Sequence, residues 1–202
     1  MPRPKQRTPE LAERVLQASL HLLANEGAGA LTARRLAEEA ATSPAAIYEL
    51  FGDKVGVLRA MFFSGFELLA EELGQPDSDP DDPIGALLEL ARRYRAFVVT
   101  HPALAAVMFS RPFASFDPTP EEQAAGAGVR ERIVTAVQAA IDAKRLRGDA
   151  TDVSHAFVAL IHGLAAAESS HRLGRSHVTV ARRWNLAVDA LLAGFAQVGT
   201  VP

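Results

Sequence analysis

The 202-residue chain has no cysteine, which excludes a disulfide framework and any thiolate metal site. Its N-terminus lacks the apolar core of a signal peptide. No apolar run approaches the roughly 18 to 20 residues that span a bilayer, so a soluble cytoplasmic protein without a membrane partner is expected. β-Branched residues are sparse and no stretch sustains the alternation of a half-buried strand. HExxH, P-loop and dinucleotide fingerprints are all missing, and no nucleophile stands in a recognisable catalytic setting. No enzyme and no cofactor are expected on these grounds.

What is present is helix-forming. Alanine and leucine dominate, 49% of the residues are apolar, and apolar positions recur three and four apart. That content can bury a real core in one or two small domains of an all-α protein. The formal net charge of -3 argues weakly against a nonspecific nucleic-acid coat. Residues 1–54 carry seven Lys/Arg and seven Asp/Glu and are neutral. Within them Arg3, Lys5 and Arg7 form a basic arm with no acidic residue before Glu10.

Thr8 with Pro9 is expected to open a first helix, ended by Gly27 and Gly29. Thr32 caps a second helix through about Ala40, and Ser43 with Pro44 opens a third, whose Ile47 and Phe51 point inward. The stretch LTARRLAEEAATSPAAIYELFGDK, residues 31–54, thus holds two short helices and a tight turn. The second is about the length needed to lie in a DNA major groove. Asp53 caps a fourth helix to about Leu73, roughly 30 Å long, with Leu58, Phe62, Phe66, Leu69 and Leu73 on one stripe. After a polar break at 74–83, a helix is expected from Ile84 to His101-Pro102, and a short one through Phe109. The Thr119-Pro120-Glu121-Glu122 capping pattern opens another to about Ala143, and two final helices cover Asp152–His171 and Val178–Gln197.

This arrangement resembles the TetR family of bacterial transcriptional regulators. The resemblance is specific over about residues 11–66, with Tyr48-x-x-Phe51-x-x-Lys54 as its most telling piece and Leu36-Ala37-Glu38 and Ser43-Pro44 in support. His162-Gly163 followed by Glu168 is similar to a subgroup with a Trp-His-Gly signature, although Val158 stands about where its tryptophan would be. Two departures concern the reading head. Ala41 occupies a turn position that often holds glycine, so the turn must avoid a positive φ or accept strain. Leu50 stands where many relatives carry a DNA-contacting residue. The resemblance implies an N-terminal three-helix helix-turn-helix DNA-binding domain, 1–53, and a C-terminal helical ligand-binding and dimerisation domain, 54–202.

The exposed positions expected on the recognition helix are Thr42, Ser43, Pro44, Ala45, Ala46, Tyr48 and Glu49. They include no Arg to read guanine and no Asn or Gln to read adenine, so readout rests on close approach and DNA shape. By resemblance, Thr32, Tyr48 and Lys54 match positions that touch the DNA backbone; packing is the alternative for Tyr48. Arg34 and Arg35 either reach phosphate or pair with Glu38 or Glu39. One such helix reads few base pairs, so a homodimer on an inverted-repeat double-stranded operator is expected, joined through the last two helices. Trp184 and Phe195 are either anchors of that interface or ordinary core.

The middle helices offer aromatic wall for a small, largely apolar effector: Phe62, Phe66, Tyr94 and Phe97, then Met108, Phe109, Phe113 and Phe116, with His162 beside them. Each is also a plausible core residue. An effector bound there would shift the fourth helix, change the spacing of the two heads and release the operator; that the outcome is repression is what the family resemblance implies. His155 and His162 share a helix face, where hydrogen-bonding histidines are favoured over a metal site. The alternative reading is a helical enzyme, or a ligand-binding or interaction module without DNA binding.

Overall fold

The computed structural model describes residues 8–74, 81–109 and 119–196, apart from the side chains of 121–123. The basic arm, Phe113, Phe116 and most of the polar break lie outside these residues. Ten α-helices run through the described chain, and no strand occurs among the described residues; an isolated antiparallel bridge joins Leu146 to Ala196. Two compact units result, one from residues up to 67 with 101–125, the other from 68–100 with 126 onward.

The first unit begins with α1 (Pro9–Glu26), α2 (Ala33–Glu39) and α3 (Pro44–Phe51), with a 3₁₀ turn, Ala28–Ala30, between α1 and α2. Each helix opens on the expected hydroxyl cap: Thr8 accepts from the Leu11 N–H, Thr32 from Arg35 and Ser43 from Ala46. Such caps satisfy N–H groups that have no intrahelical partner and are each worth about 1 kcal/mol. α1 packs on α2, and α2 on α3, burying Leu11, Val15, Leu22, Leu31, Leu36 and Ile47. Phe51 is only half-buried, whereas the helical spacing placed it inward. α4 (Lys54–Leu73) starts in this unit and runs through the 67/68 division. α6 (Pro102–Phe109) packs on α1, and α7 (Pro120–Ala125) completes the unit.

The second unit is built from the C-terminal end of α4 with α5 (Pro83–Thr100), α8 (Ala127–Asp142), α9 (Ala150–Ser169) and α10 (His177–Phe195). The single helix expected from Pro120 to Ala143 is two, because Gly126 interrupts it between α7 and α8; glycine is a poor helix former and Gly128 adds a second weak position. α9 starts at Ala150 rather than Asp152, since Asp149 accepts from the N–H groups of Thr151 and Asp152. α5 packs on α8, α9 and α10, and α9 on α8 and α10. Leu87, Phe97, Val137, Phe157 and Ile161 fill this core. By length and composition alone α9, at 20 residues with a mean hydropathy of 1.2 over its most apolar window, suffices to cross a bilayer. No such run was expected. Val153, Phe157, Ile161 and Ala165 turn one face of it into the core of this unit, while 28% of the apolar window as a whole is buried.

Three helices end on the same device. α2, α8 and α9 are followed by a left-handed residue that is not glycine: Ala41 (φ 49°), Lys144 (φ 58°) and His171 (φ 57°). In each case its N–H and the next one turn back onto the helix: Ala41 to Glu38 O and Thr42 to Ala37 O, Lys144 to Ile141 O and Arg145 to Ala140 O, His171 to Glu168 O and Arg172 to Ala167 O. This is the Schellman pattern, which satisfies the last carbonyls of a helix and favours glycine at the left-handed site. The turn at Ala41 therefore accepts the positive φ.

Candidate nucleic-acid interface

The reading head is organised around α3. Ser43, Pro44 and Ala45 are exposed, Thr42 and Ala46 are half-buried, and Ile47 is the residue that seats the helix on its neighbours. Tyr48 is 58% exposed, so it is not the packing tyrosine that its half-apolar character allowed. Leu50 is half-buried and Glu49 exposed. The outward face is therefore small side chains beside one phenol and the Glu49 carboxylate, a surface that admits close approach and carries no side chain able to bond a purine bidentately. Thr32 and Lys54 are both exposed.

The junction of α3 and α4 is tight. Gly52 (φ 76°) ends α3 with its N–H on Tyr48 O, and Asp53 Oδ1 accepts from Gly56 N at 2.9 Å. A Cβ on Gly56 would lie 1.7 Å from the Phe51 carbonyl oxygen, closer than any side chain permits. This glycine lets the first turn of α4 lie against the last residue of α3. Inside a helix pattern a lone glycine is an ambiguous signal, and the requirement at Gly56 was not recognised in the sequence.

Arg34 and Arg35 are both paired with carboxylates. Arg34 Nε donates to Glu38 Oε1 at 3.1 Å, Arg35 Nη1 to Glu38 Oε2 at 3.4 Å and Arg35 Nη2 to Glu26 Oε1 at 2.6 Å. Glu38 was an expected partner; Glu26, from the end of α1, was not. Glu39 instead meets His21 Nδ1 at 2.8 Å.

The residues proposed to line an effector site fall into both units. In the first, Phe62 and Phe66 have ring centroids 4.9 Å apart, and Phe66 meets Phe109 edge-on at 5.9 Å. Met108 is buried, with its sulfur 2.5 Å from where a Gly65 Cβ would stand. In the second, Tyr94 Oη and His162 Nδ1 are 3.0 Å apart, and Phe97 is wholly enclosed. Burial pushes the Tyr94 phenol up and lowers the His162 imidazole, so each favours its neutral form near neutral pH. His155, the other histidine on that face, is exposed and has Nδ1 2.8 Å from Thr151 O. No group of three or more metal-ligating side chains occurs among the described residues.

Glu168 joins three helices of the second unit. It accepts from Arg95 Nε and Nη2, both at 2.8 Å, and from Trp184 Nε1 at 2.7 Å. The Arg95 guanidinium also lies 5.7 Å from the Trp184 ring centroid, within cation–π range. Arg95 above all, with Trp184 in support, holds the Glu168 carboxyl below its ordinary range. Trp184 is thus core of this unit, the second of its two expected roles. At the end of α4, Arg93 Nη1 donates to Leu73 O at 2.9 Å and Arg132 Nη1 to Gly74 O, so guanidinium groups from α5 and α8 satisfy its terminal carbonyls.

Residues 15–61 match the family described as bacterial regulatory proteins, tetR family, and residues 87–191 match the tetracyclin repressor-like C-terminal domain. No curated protein sequence matches. Among solved structures, a protein with unknown function from Rhodococcus sp. RHA1 is similar with a TM-score of 0.79 and 26% identity, over 97% of this chain and 100% of that one. A bacterial regulatory protein in the tetR family, also from Rhodococcus RHA1, aligns with a TM-score of 0.70 and 22% identity, over 91% of this chain and 98% of that one. A SmeT–triclosan complex aligns with a TM-score of 0.67 and 21% identity, over 96% and 97% respectively; the last two likenesses bear on the fold.

Proposed function

The chain belongs to the tetR family of bacterial regulatory proteins, DNA-binding transcription regulators with a ligand-binding domain, and on that premise we propose that it acts as a homodimeric, cytoplasmic repressor released from an inverted-repeat operator by a small, largely apolar effector. The observation that carries this reading is α3: a capped helix, seated by Ile47, that presents Tyr48 and a row of small side chains outward. Thr32, Tyr48 and Lys54 set the register on phosphate, while Ser43, Pro44, Ala45 and Ala46 allow the helix close to the base edges. Specificity comes from DNA shape and half-site spacing more than from base-specific donors.

Pairing of two chains through α9 and α10 is supported by what those helices leave uncovered. Ala159, Gly163 and Ala166 on α9, and Ala190, Ala193 and Gly194 on α10, are exposed, and Leu186 is 68% exposed. A Cβ at Gly163 or Gly194 would meet nothing within 4 Å. Faces of small residues with an exposed leucine suit close helix–helix packing and leave apolar surface to be buried.

The Phe62, Phe66 and Phe109 cluster suits an apolar or aromatic effector, and triclosan in the SmeT complex is such a compound on a similar fold. An effector coupling of about 1 to 3 kcal/mol between the two sites is enough for regulation. α4, whose final carbonyls are held by Arg93 and Arg132, is the natural carrier of that coupling. The test is a gel shift on the DNA upstream of the protein's own gene. A retarded band competed only by that sequence is expected, weakened on every sequence by Lys54→Ala with a salt slope reduced by about one. A protein that retards no DNA, or retards all DNA alike, removes the reading.

A further inference from the structure

We infer that Glu26 and Glu38 form an intramolecular carboxylate latch on the reading head, holding Arg35 and Arg34 in the free protein and thereby setting how strongly the head grips DNA phosphate. The inference rests on the DNA-binding reading above and assigns regulation of that site to two acidic residues. The latch is built between helices: Glu26 is the last residue of α1, while Arg35 stands in the first turn of α2. Their 2.6 Å contact spans nine residues, so it is not the ordinary pairing of neighbours along one helix. Glu38, in α2 with both arginines, adds the neighbour pairing along the helix, taking Arg34 on one oxygen and Arg35 on the other. Those two contacts hold the Glu38 carboxyl below its usual range, Arg34 contributing most.

The position is as telling as the pairing. Thr32 Oγ1 accepts the Arg35 backbone N–H at 3.2 Å, so the latched arginine shares a turn with the residue assigned to a phosphate contact. Carboxylate and phosphate compete for the same guanidinium fork. The four side chains cancel in charge, and residues 1–54 as a whole are neutral. The latch is also easily opened: the Arg35 and Glu26 side chains are 40% and 45% exposed, and those of Arg34 and Glu38 86% and 49%. Exposed pairs of this kind hold only weakly, so a phosphate can displace the carboxylate. The head then meets DNA with arginines that become available only where a phosphate is suitably placed.

The experiment measures binding of the full chain to the fragment upstream of its own gene, and to a scrambled fragment of the same length, across a salt series. Glu26→Gln and Glu38→Gln are expected to tighten binding to both fragments by about twofold to fivefold at ~0.1 M salt. Each should also steepen the salt slope by up to about 0.9. Arg35→Ala introduced into Glu26→Gln should abolish the gain. The latch is overturned if both Gln variants bind as the wild type does, or if the gain survives without Arg35, which would make it a general charge effect. A wild type that binds neither fragment overturns the DNA reading and the latch together; a wild type that binds, with Gln variants that bind no more tightly, overturns the latch alone.

Discussion

The reading head and the second unit place their polar groups in opposite ways. In the head, polar side chains cap helices or pair on the surface at short range along the chain, as Thr32 with Arg35, Arg35 with Glu26 and, at 18 residues, His21 with Glu39. In the second unit they meet across the fold: Tyr94 with His162, 68 residues apart, and Arg95 with Glu168, 73 apart. Exposed polar pairs can trade partners with a ligand, whereas shielded ones specify how helices pack and are costly to leave half-made. The head is thus a surface prepared for exchange, and the second unit a frame fixed from within.

The largest effect that would break this contrast is expected at Glu168. Removing its carboxylate in Glu168→Ala strands the partly shielded Arg95 charge and the Trp184 N–H. A loss of about 2 to 3 kcal/mol is expected, below the range for a fully buried pair because Arg95 keeps some solvent contact. Chemical denaturation measures it, and a loss under 0.5 kcal/mol would place Glu168 among ordinary surface residues. The same contact has a pH signature. The folded pKa of Glu168 is lowered, so its contribution is complete above the unfolded value, near 4.5, and is lost as pH falls through the folded value. His162, lowered by burial, removes stability earlier, as pH falls below about 6.5. Glu168→Gln should flatten the lower part of that decline and leave the upper part.

A smaller effect is expected in the head. Gly56→Ala must displace a backbone carbonyl to admit its Cβ, and a loss of about 2 kcal/mol is expected from such a clash. Gly163→Ala, whose Cβ meets nothing, serves as its control and should leave folding of the single chain within about 0.5 kcal/mol of wild type. If the two behave alike, the tight α3–α4 junction is not a constraint. The smallest effect sharpens the comparison instead. Ala41→Gly relieves a left-handed alanine and should stabilise by about 0.5 to 1 kcal/mol, an increase in melting temperature that calorimetry resolves.

The legible part of the fold was the part written in short-range chemistry. Thr8-Pro9, Thr32 and Ser43-Pro44 announced three helix starts, because a hydroxyl cap and a proline at the first helical position act within one turn. The break at Gly126 and the start at Ala150 were missed because competing local signals, a capping pattern upstream and Asp152 downstream, were weighed without the packing that decides between them. Of the candidate site, the small outward face of α3 was readable from helical spacing. The partners of Arg35, Glu168 and Trp184 were not, since spacing along a chain says nothing about which distant side chain will lie across from it.

The sequence by itself determined that this protein is helical, where its reading head lies and that Ser43, Pro44, Ala45, Tyr48 and Glu49 turn outward, since capping, periodicity and helix propensity are local. Tertiary structure alone decided that Gly56 must be glycine, that Glu26 reaches Arg35 and that Glu168 binds Arg95 and Trp184 together. Each of these depends on the approach of two segments, and a contact of that kind exists only once the helices have packed.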